Sequence, residues 1–264
     1  MTVRAGGEET IGMWHARPWR SPIALLLLFA ATTSIAYLRN PVAMSDPTMF
    51  TEDGSWIASL YTRGALETYL HARPDYFVVA NVLVLHLAKL IAEITGAGAL
   101  EIPRIIAALS YLFYGFVAVL PAITLRGHLS VTGRILVALL IASIPVGVPQ
   151  SSAEIWGRAS NIGFAFSFIA VLSLIWRETL RQEGRRWTIV PDLLILLSCA
   201  TNPIAVPLVG LYLVYCPFTK GLGAALREDG LLTVAVGLIT ISVIFGVVST
   251  PRSPEEASTS LSAG

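Results

Sequence analysis

The sequence predicts an all-α, polytopic membrane protein of about seven transmembrane helices, with further juxtamembrane helices at the outer face. Three observations carry that expectation. First, mean hydropathy is +0.70, with 55% of the 264 residues hydrophobic and only 13% charged. Soluble proteins carry about 25% charged residues, so a shortfall of this size marks a chain whose solvent is largely lipid. Second, the apolar residues are gathered into long runs. Third, the arginines are distributed unevenly between the loops that separate those runs.

The elements follow in order. Arg17 and Arg20 precede the first run, Pro22–Leu38. It is longer than a secretory signal's apolar core, and no small-x-small cleavage site follows, so it reads as an uncleaved first span. Residues 1–21 then form a cytoplasmic segment, placed inside by Arg4, Arg17 and Arg20. Further spans are expected at Arg104–Leu125, Arg134–Val148, Ser160–Trp176, Thr188–Ala200, Pro203–Phe218 and Leu231–Ser249. Several are shorter than the roughly 20 residues that cross a bilayer. Thr188–Ala200 carries Asp192 and ends at Thr201-Asn202-Pro203, so it also reads as half of a broken helix.

The loop charges set the topology. Arg39–Asp75 holds five acids (Asp46, Glu52, Asp53, Glu67, Asp75) against Arg39, Arg63 and Arg73, and belongs outside. Arg177–Trp187 holds four arginines against two glutamates, and belongs in the cytoplasm, as does the turn with Arg126 and Arg134. The run Tyr76–Ile94 would invert both basic loops if it crossed. It is therefore expected to lie at the outer interface, with Asn81, His86, Lys89 and Glu93 on one face within about 140° at 100° per residue. The alternative is a tilted span whose polar face packs on neighbours. Trp56–Tyr69 is expected to form another outer helix. Residues 22–249 thus make one membrane module with a large outer loop at 39–103. The Ser-, Pro- and Glu-rich residues 250–264 are expected to be disordered. The chain looks short for this architecture, as though a C-terminal half or a partner subunit completed it.

Net charge is +1, so no nucleic-acid partner is implied. Cys199 and Cys216 lie inside apolar runs and read as core residues. The four histidines are scattered, and no metal-ligand spacing or phosphate loop occurs. The chemistry-bearing residues crowd the outer loops instead. Glu52 and Asp53 precede Gly54, with diverging side chains. They can cap a helix beginning near Gly54, or provide a general base and a partner carboxylate. Trp56 and Tyr61 suit either stacking on a sugar ring or anchoring at headgroup level. Arg39, Arg63 and Arg73 suit either a phosphate leaving group or lipid headgroups. Asp46, before Pro47, reads as a turn residue. Glu154 and Arg158 form either an exposed i,i+4 pair or a second wall of a shared cavity, with Asn161 below it. Asn202 either completes that cavity or breaks the helix before Pro203.

These features together resemble the GT-C class of integral-membrane glycosyltransferases. A first span is followed by a large outer loop with Thr51-Glu52-Asp53-Gly54. A juxtamembrane-like segment then runs from Arg73-Pro74-Asp75-Tyr76 to Gly96. The arginine-opened span Ile102-Pro103-Arg104-Ile105-Ile106-Ala107-Ala108-Leu109 is similar to the class's second span, though Ile-Pro precedes the arginine where the class has Leu-Pro after it. A later span ends Ser143-Ile144-Pro145, similar to the class's "L-S-P" ending. The EDG loop, with Glu154 and Asn161 later, is also similar to bacterial membrane proteins described as glucosyltransferases. The resemblance implies a lipid-phosphate-linked sugar donor, inverting transfer at the outer face of a bacterial cytoplasmic membrane, and a base at Asp53, favoured, or Glu52. Arg63, Arg73, Trp56, Glu154, Arg158 and Asn161 become the expected substrate contacts. Some members of the class use a divalent cation; nothing in this sequence fixes one. The competing classes are a transporter or lipid-carrier flippase component and a non-catalytic assembly subunit.

Overall fold

Every regular element among the described residues is helical. The structure, a computed structural model, describes residues 22–144, 157–185 and 188–249. Its helices are α1 (Pro22–Arg39), α2 (Val42–Ser45), α3 (Thr51–Thr62), α4 (Ala65–His71), α5 (Val79–Thr95), α6 (Ile102–Thr124), α7 (Val131–Ser143), α8 (Ala165–Gln182), α9 (Ile189–Cys199), α10 (Ala205–Lys220) and α11 (Leu222–Ser249). Short 3-10 turns at Ala99–Glu101 and Ser160–Phe164 lead into α6 and α8.

Each expected span overlaps a helix, with residues 145–148 of the third outside the described residues. Among the described residues, four helices are long and apolar enough to cross a membrane: α1, α6, α8 and α11, with the turns that precede α6 and α8. The others, α7, α9 and α10, have 13, 11 and 16 residues, short of the roughly 20 that a bilayer core requires. The expected N-terminal segment, the tail and Glu154 lie outside the described residues.

Small residues set how closely the first helices pack. Thr32 Oγ1 donates to the Gly115 carbonyl at 3.1 Å, so α1 and α6 run nearly in contact. A Cβ on Gly115 would sit 2.0 Å from Thr33 Oγ1 and 3.1 Å from the Thr33 Cα, so only glycine fits there. Neighbouring helices alternate in direction. Leu28 packs with Val119 and Ala122, while Ala36 packs with Ala107 and Tyr111. On α7, Arg134 donates to the Ala122 carbonyl at one end and Arg39 to the Ala142 carbonyl at the other, each at 3.0 Å. The loops therefore sort to two ends. The first end gathers residues 40–101, 157–164 and 200–204, and the second gathers 125–130, 183–185, 188 and 221.

At the second end Arg177, 1% exposed, bridges Asp192 and Asp229. Arg181 reaches Asp229 at 2.9 Å and Lys220 reaches Glu178 at 3.0 Å. This network explains the one large shift in a span boundary. The charges at Arg227, Glu228 and Asp229 place the expected start of the last span at Leu231, yet α11 begins at Leu222. Asp229 is neutralised within the bundle by Arg177 and Arg181, so the helix continues through it.

The first end carries a smaller layer, α3 to α5. The expected single helix over Trp56–Tyr69 is broken in two, because Gly64 adopts φ +87°, a left-handed conformation that glycine alone adopts without strain. Thr68 Oγ1 donates to Ser59 Oγ at 2.9 Å and holds α4 back against α3. Trp56, Ile57 and Leu60 pack with Val82, Leu85, Ala88, Ile102 and Ile106, joining α3, α5 and the start of α6 in one core. The polar face of α5 is covered in part by protein. Asn81 is buried, His86 lies 6.1 Å from the Tyr69 ring, and Lys89 sits 4.8 Å over the Tyr61 ring, while Glu93 is exposed. The apolar stripe Leu83, Leu87, Leu90 and Ile94 is exposed as well.

Candidate functional site

The segment 157–164 is the centre of the first end, and four elements fix its backbone. Ser110 Oγ of α6 accepts from the Gly157 amide at 3.1 Å. Asp53 of α3 accepts from two consecutive amides, Ala159 N on Oδ2 at 3.1 Å and Ser160 N on Oδ1 at 2.8 Å. Asn81 of α5 donates to the Ala159 and Ser160 carbonyls, both at 2.7 Å. Asn202 donates to the Gly163 carbonyl at 2.9 Å. The same region caps α5. Its first amides, at Val79 and Ala80, donate to the Ala200 carbonyl and to Thr201 Oγ1, satisfying donors that a helix start leaves open.

This geometry separates the acidic pair. Both lie in the first turn of α3, where carboxylates favour the helix dipole, and neither caps its own helix. Asp53 points inward and is 2% exposed. Burial pushes its pKa up, while the Ala159 and Ser160 amides and the charge of Arg158 pull it down. With both oxygens held by backbone amides, Asp53 is a distant cap for the 160–164 turn. That geometry counters the expectation of Asp53 as the favoured base. Glu52 points the other way, half-exposed, 3.6 Å from Arg73 Nη1.

Glu52 and Arg73 border a cavity of about 450 Å³ whose wall also includes Trp56, Tyr76, Asn81, Asn161 and Asn202. Arg73 is held over the Tyr76 ring at 5.1 Å, and its Nε lies 3.7 Å from Asp75. Burial and the neighbouring carboxylates Asp75 and Glu52 raise the Tyr76 pKa, against the pull of Arg73. Asn81 Oδ1 and Ser160 Oγ are buried in this wall without a hydrogen-bond partner. An apolar groove of about 390 Å³, between α10 and α11, shares Pro203 with the cavity and continues along Val206, Pro207, Gly210, Thr240, Val243 and Ile244.

Of the expected site residues, Glu52, Trp56, Arg73 and Asn161 meet at this cavity. Trp56 is a core residue at its edge, 6% exposed, with its indole N–H donated to the Ala72 carbonyl at 2.9 Å; stacking on a sugar is not open to it. Arg63 ends α3 on the exposed surface, away from the cavity. Arg158 stacks over the Phe50 ring at 4.7 Å and lines a separate small cleft with Asp46. Sequence reasoning passed over Tyr76 and the inward role of Asn81. Among the described residues no cluster of His, Cys, Asp and Glu has metal-binding geometry. Compared with known protein families, curated proteins and solved structures, the chain matches none of them.

Proposed function

We propose that this protein is a membrane glycosyltransferase that takes a sugar from a polyprenyl-phosphate-linked donor at the outer face of the membrane. In this reading all seven apolar helices contribute to the membrane-embedded body, the shorter ones at a tilt or in partial depth. The observation that carries it is the joining of two unlike sites at Pro203. A polar cavity with one carboxylate and one guanidinium borders, at Pro203, an apolar groove between helices. An amphiphile with a charged head and a long apolar tail fits that pair.

The roles follow from chemistry. Arg73 takes the donor phosphate, since a guanidinium is a good bidentate partner for phosphate. Glu52, beside it and half-exposed, takes the proton of the acceptor hydroxyl as its oxygen attacks the anomeric carbon. The bond from that carbon to the phosphate oxygen breaks, and the polyprenyl phosphate leaves with the bonding electrons toward Arg73. Asn161, in the cavity wall, takes sugar hydroxyls through its amide. Asp53 acts through the backbone it holds.

Transfer of radiolabelled sugar from a polyprenyl-phosphate donor, in membranes containing the protein, tests this reading. Glu52→Gln is expected to reduce transfer by at least about 10²-fold, the usual contribution of a general base. Unchanged transfer in Glu52→Gln would remove the base assignment, and absence of transfer by the unaltered protein from any such donor would remove the reading itself. One observation favours a second reading, a transporter component. Arg177 between Asp192 and Asp229 is a buried ionic cluster on apolar helices, of the kind that transport pathways carry.

A further inference from the structure

The second end of the bundle holds a cavity of about 550 Å³, lined by Arg181, Gly184, Arg185, Thr188, Arg227 and Glu228. Its charges are arranged by depth. The carboxylates beneath it are matched: Asp229 is 3% exposed and reached by Arg177 and Arg181, and Asp192 is reached by Arg177. Glu228 Oε2 lies between Arg181 at 3.6 Å and Lys220 at 3.8 Å. Arg181 also donates to the Glu228 carbonyl at 2.9 Å. Arg181 is thereby fixed as the floor. The two remaining arginines of the lining are Arg185, after α8, and Arg227, on α11. Arg185 is 64% exposed, and its one ion pair among the described residues is with Glu183 at 3.7 Å. Arg227 is exposed and forms no ion pair among the described residues.

We infer that this cavity is a binding site for a phosphate-bearing anion, held between Arg185 and Arg227. The inference does not rest on the proposed transferase activity, because the cavity lies at the other end of the bundle from Glu52 and Arg73. Two guanidiniums in the wall of one cavity repel, and among the described residues neither has a carboxylate at hydrogen-bond distance. A phosphate placed between them relieves the repulsion and accepts charge-assisted hydrogen bonds from both. The site joins α8 to α11, so occupancy ties the start of the last long helix to the rest of the bundle. Two sources share this chemistry: the headgroup of an anionic phospholipid and a free diphosphate.

The test uses the full chain in phosphatidylcholine nanodiscs. Its unfolding temperature is followed as phosphatidylglycerol is introduced into the disc, and separately as inorganic pyrophosphate is added to the buffer. Stabilisation by at least one of the two is expected. It should be lost in Arg185→Ala/Arg227→Ala, with apparent affinity weakened at least about tenfold, and kept in Arg185→Lys/Arg227→Lys. Both positions are exposed, so the alanine pair should fold, and an unaltered helical circular-dichroism spectrum checks it. A response to phosphatidylglycerol alone identifies a lipid headgroup, and a response to pyrophosphate alone a soluble ligand. Stabilisation by neither, or equal stabilisation of the alanine pair and the unaltered protein, overturns the inference.

Discussion

Asp53 and Glu52 show how one residue step decides a role on a helix. Asp53 shares its face with Trp56, Ile57 and Leu60, the i, i+3, i+4, i+7 positions of the buried stripe. The expected helix began near Gly54, so only the divergence of the two side chains was legible in the sequence. The partners of Asp53 were not, because Ala159 lies 106 residues further on and no local pattern points to it. The pair should separate in stability as it does in space. In Asp53→Asn the amide offers one acceptor where the carboxylate offers two, so one buried amide of Ala159 or Ser160 faces an NH₂ group. The expected loss is about 1–3 kcal/mol, read by denaturant or thermal unfolding of the purified protein in detergent. Glu52→Gln, at a half-exposed position, should stay within about 0.5 kcal/mol. An Asp53→Asn protein as stable as the unaltered one would mean that the double cap is not what holds the 160–164 turn.

Helices were legible wherever the apolar run was continuous, and their ends were misread wherever a distant partner changed the balance. The start of α11 is the clearest case: three charged residues signal an interface in the sequence, and two arginines from α8 cancel that signal in the fold. The α5 face is another, since Tyr61 and Tyr69 cover polar side chains that composition assigns to water. The groove between α10 and α11 lay outside what periodicity can show, because it depends on how two apolar helices sit together. It turns on Gly210, whose missing side chain leaves open space: nothing lies within 4 Å of the position a Cβ would take. Gly210→Leu should leave α10 intact, since leucine is the better helix former by roughly 0.8 kcal/mol. It should fill the groove and raise KM for a long-chain polyprenyl donor by about tenfold or more, while a donor with a short tail is transferred as before. Equal effects on both donors would place the tail elsewhere.

For the whole molecule, the loop charges anticipated which loops share an end. The acidic loop, residues 157–159 and Asn202 do converge, and the described residues of the arginine-rich loops gather opposite them; residues 160–164, expected inside a span, join the first end as a 3-10 turn. What charge could not give is which of the loop residues share a cavity; Arg63 and Arg158 lie on the right end and miss it. The two-ended arrangement makes a prediction that needs no knowledge of the substrate. Cys199 and Cys216 are both 2% exposed, so background labelling should be low. Gly98 has open space at its Cβ position, and Arg185 is exposed at the other end. With a membrane-impermeant maleimide, Gly98→Cys should label in intact expressing cells, and Arg185→Cys only after the membrane is opened. Labelling of both positions in intact cells would contradict the separation of the two ends. The reverse pattern would keep the fold and turn it over, placing Glu52 and Arg73 in the cytoplasm and overturning the assignment of the transfer reaction to the outer face.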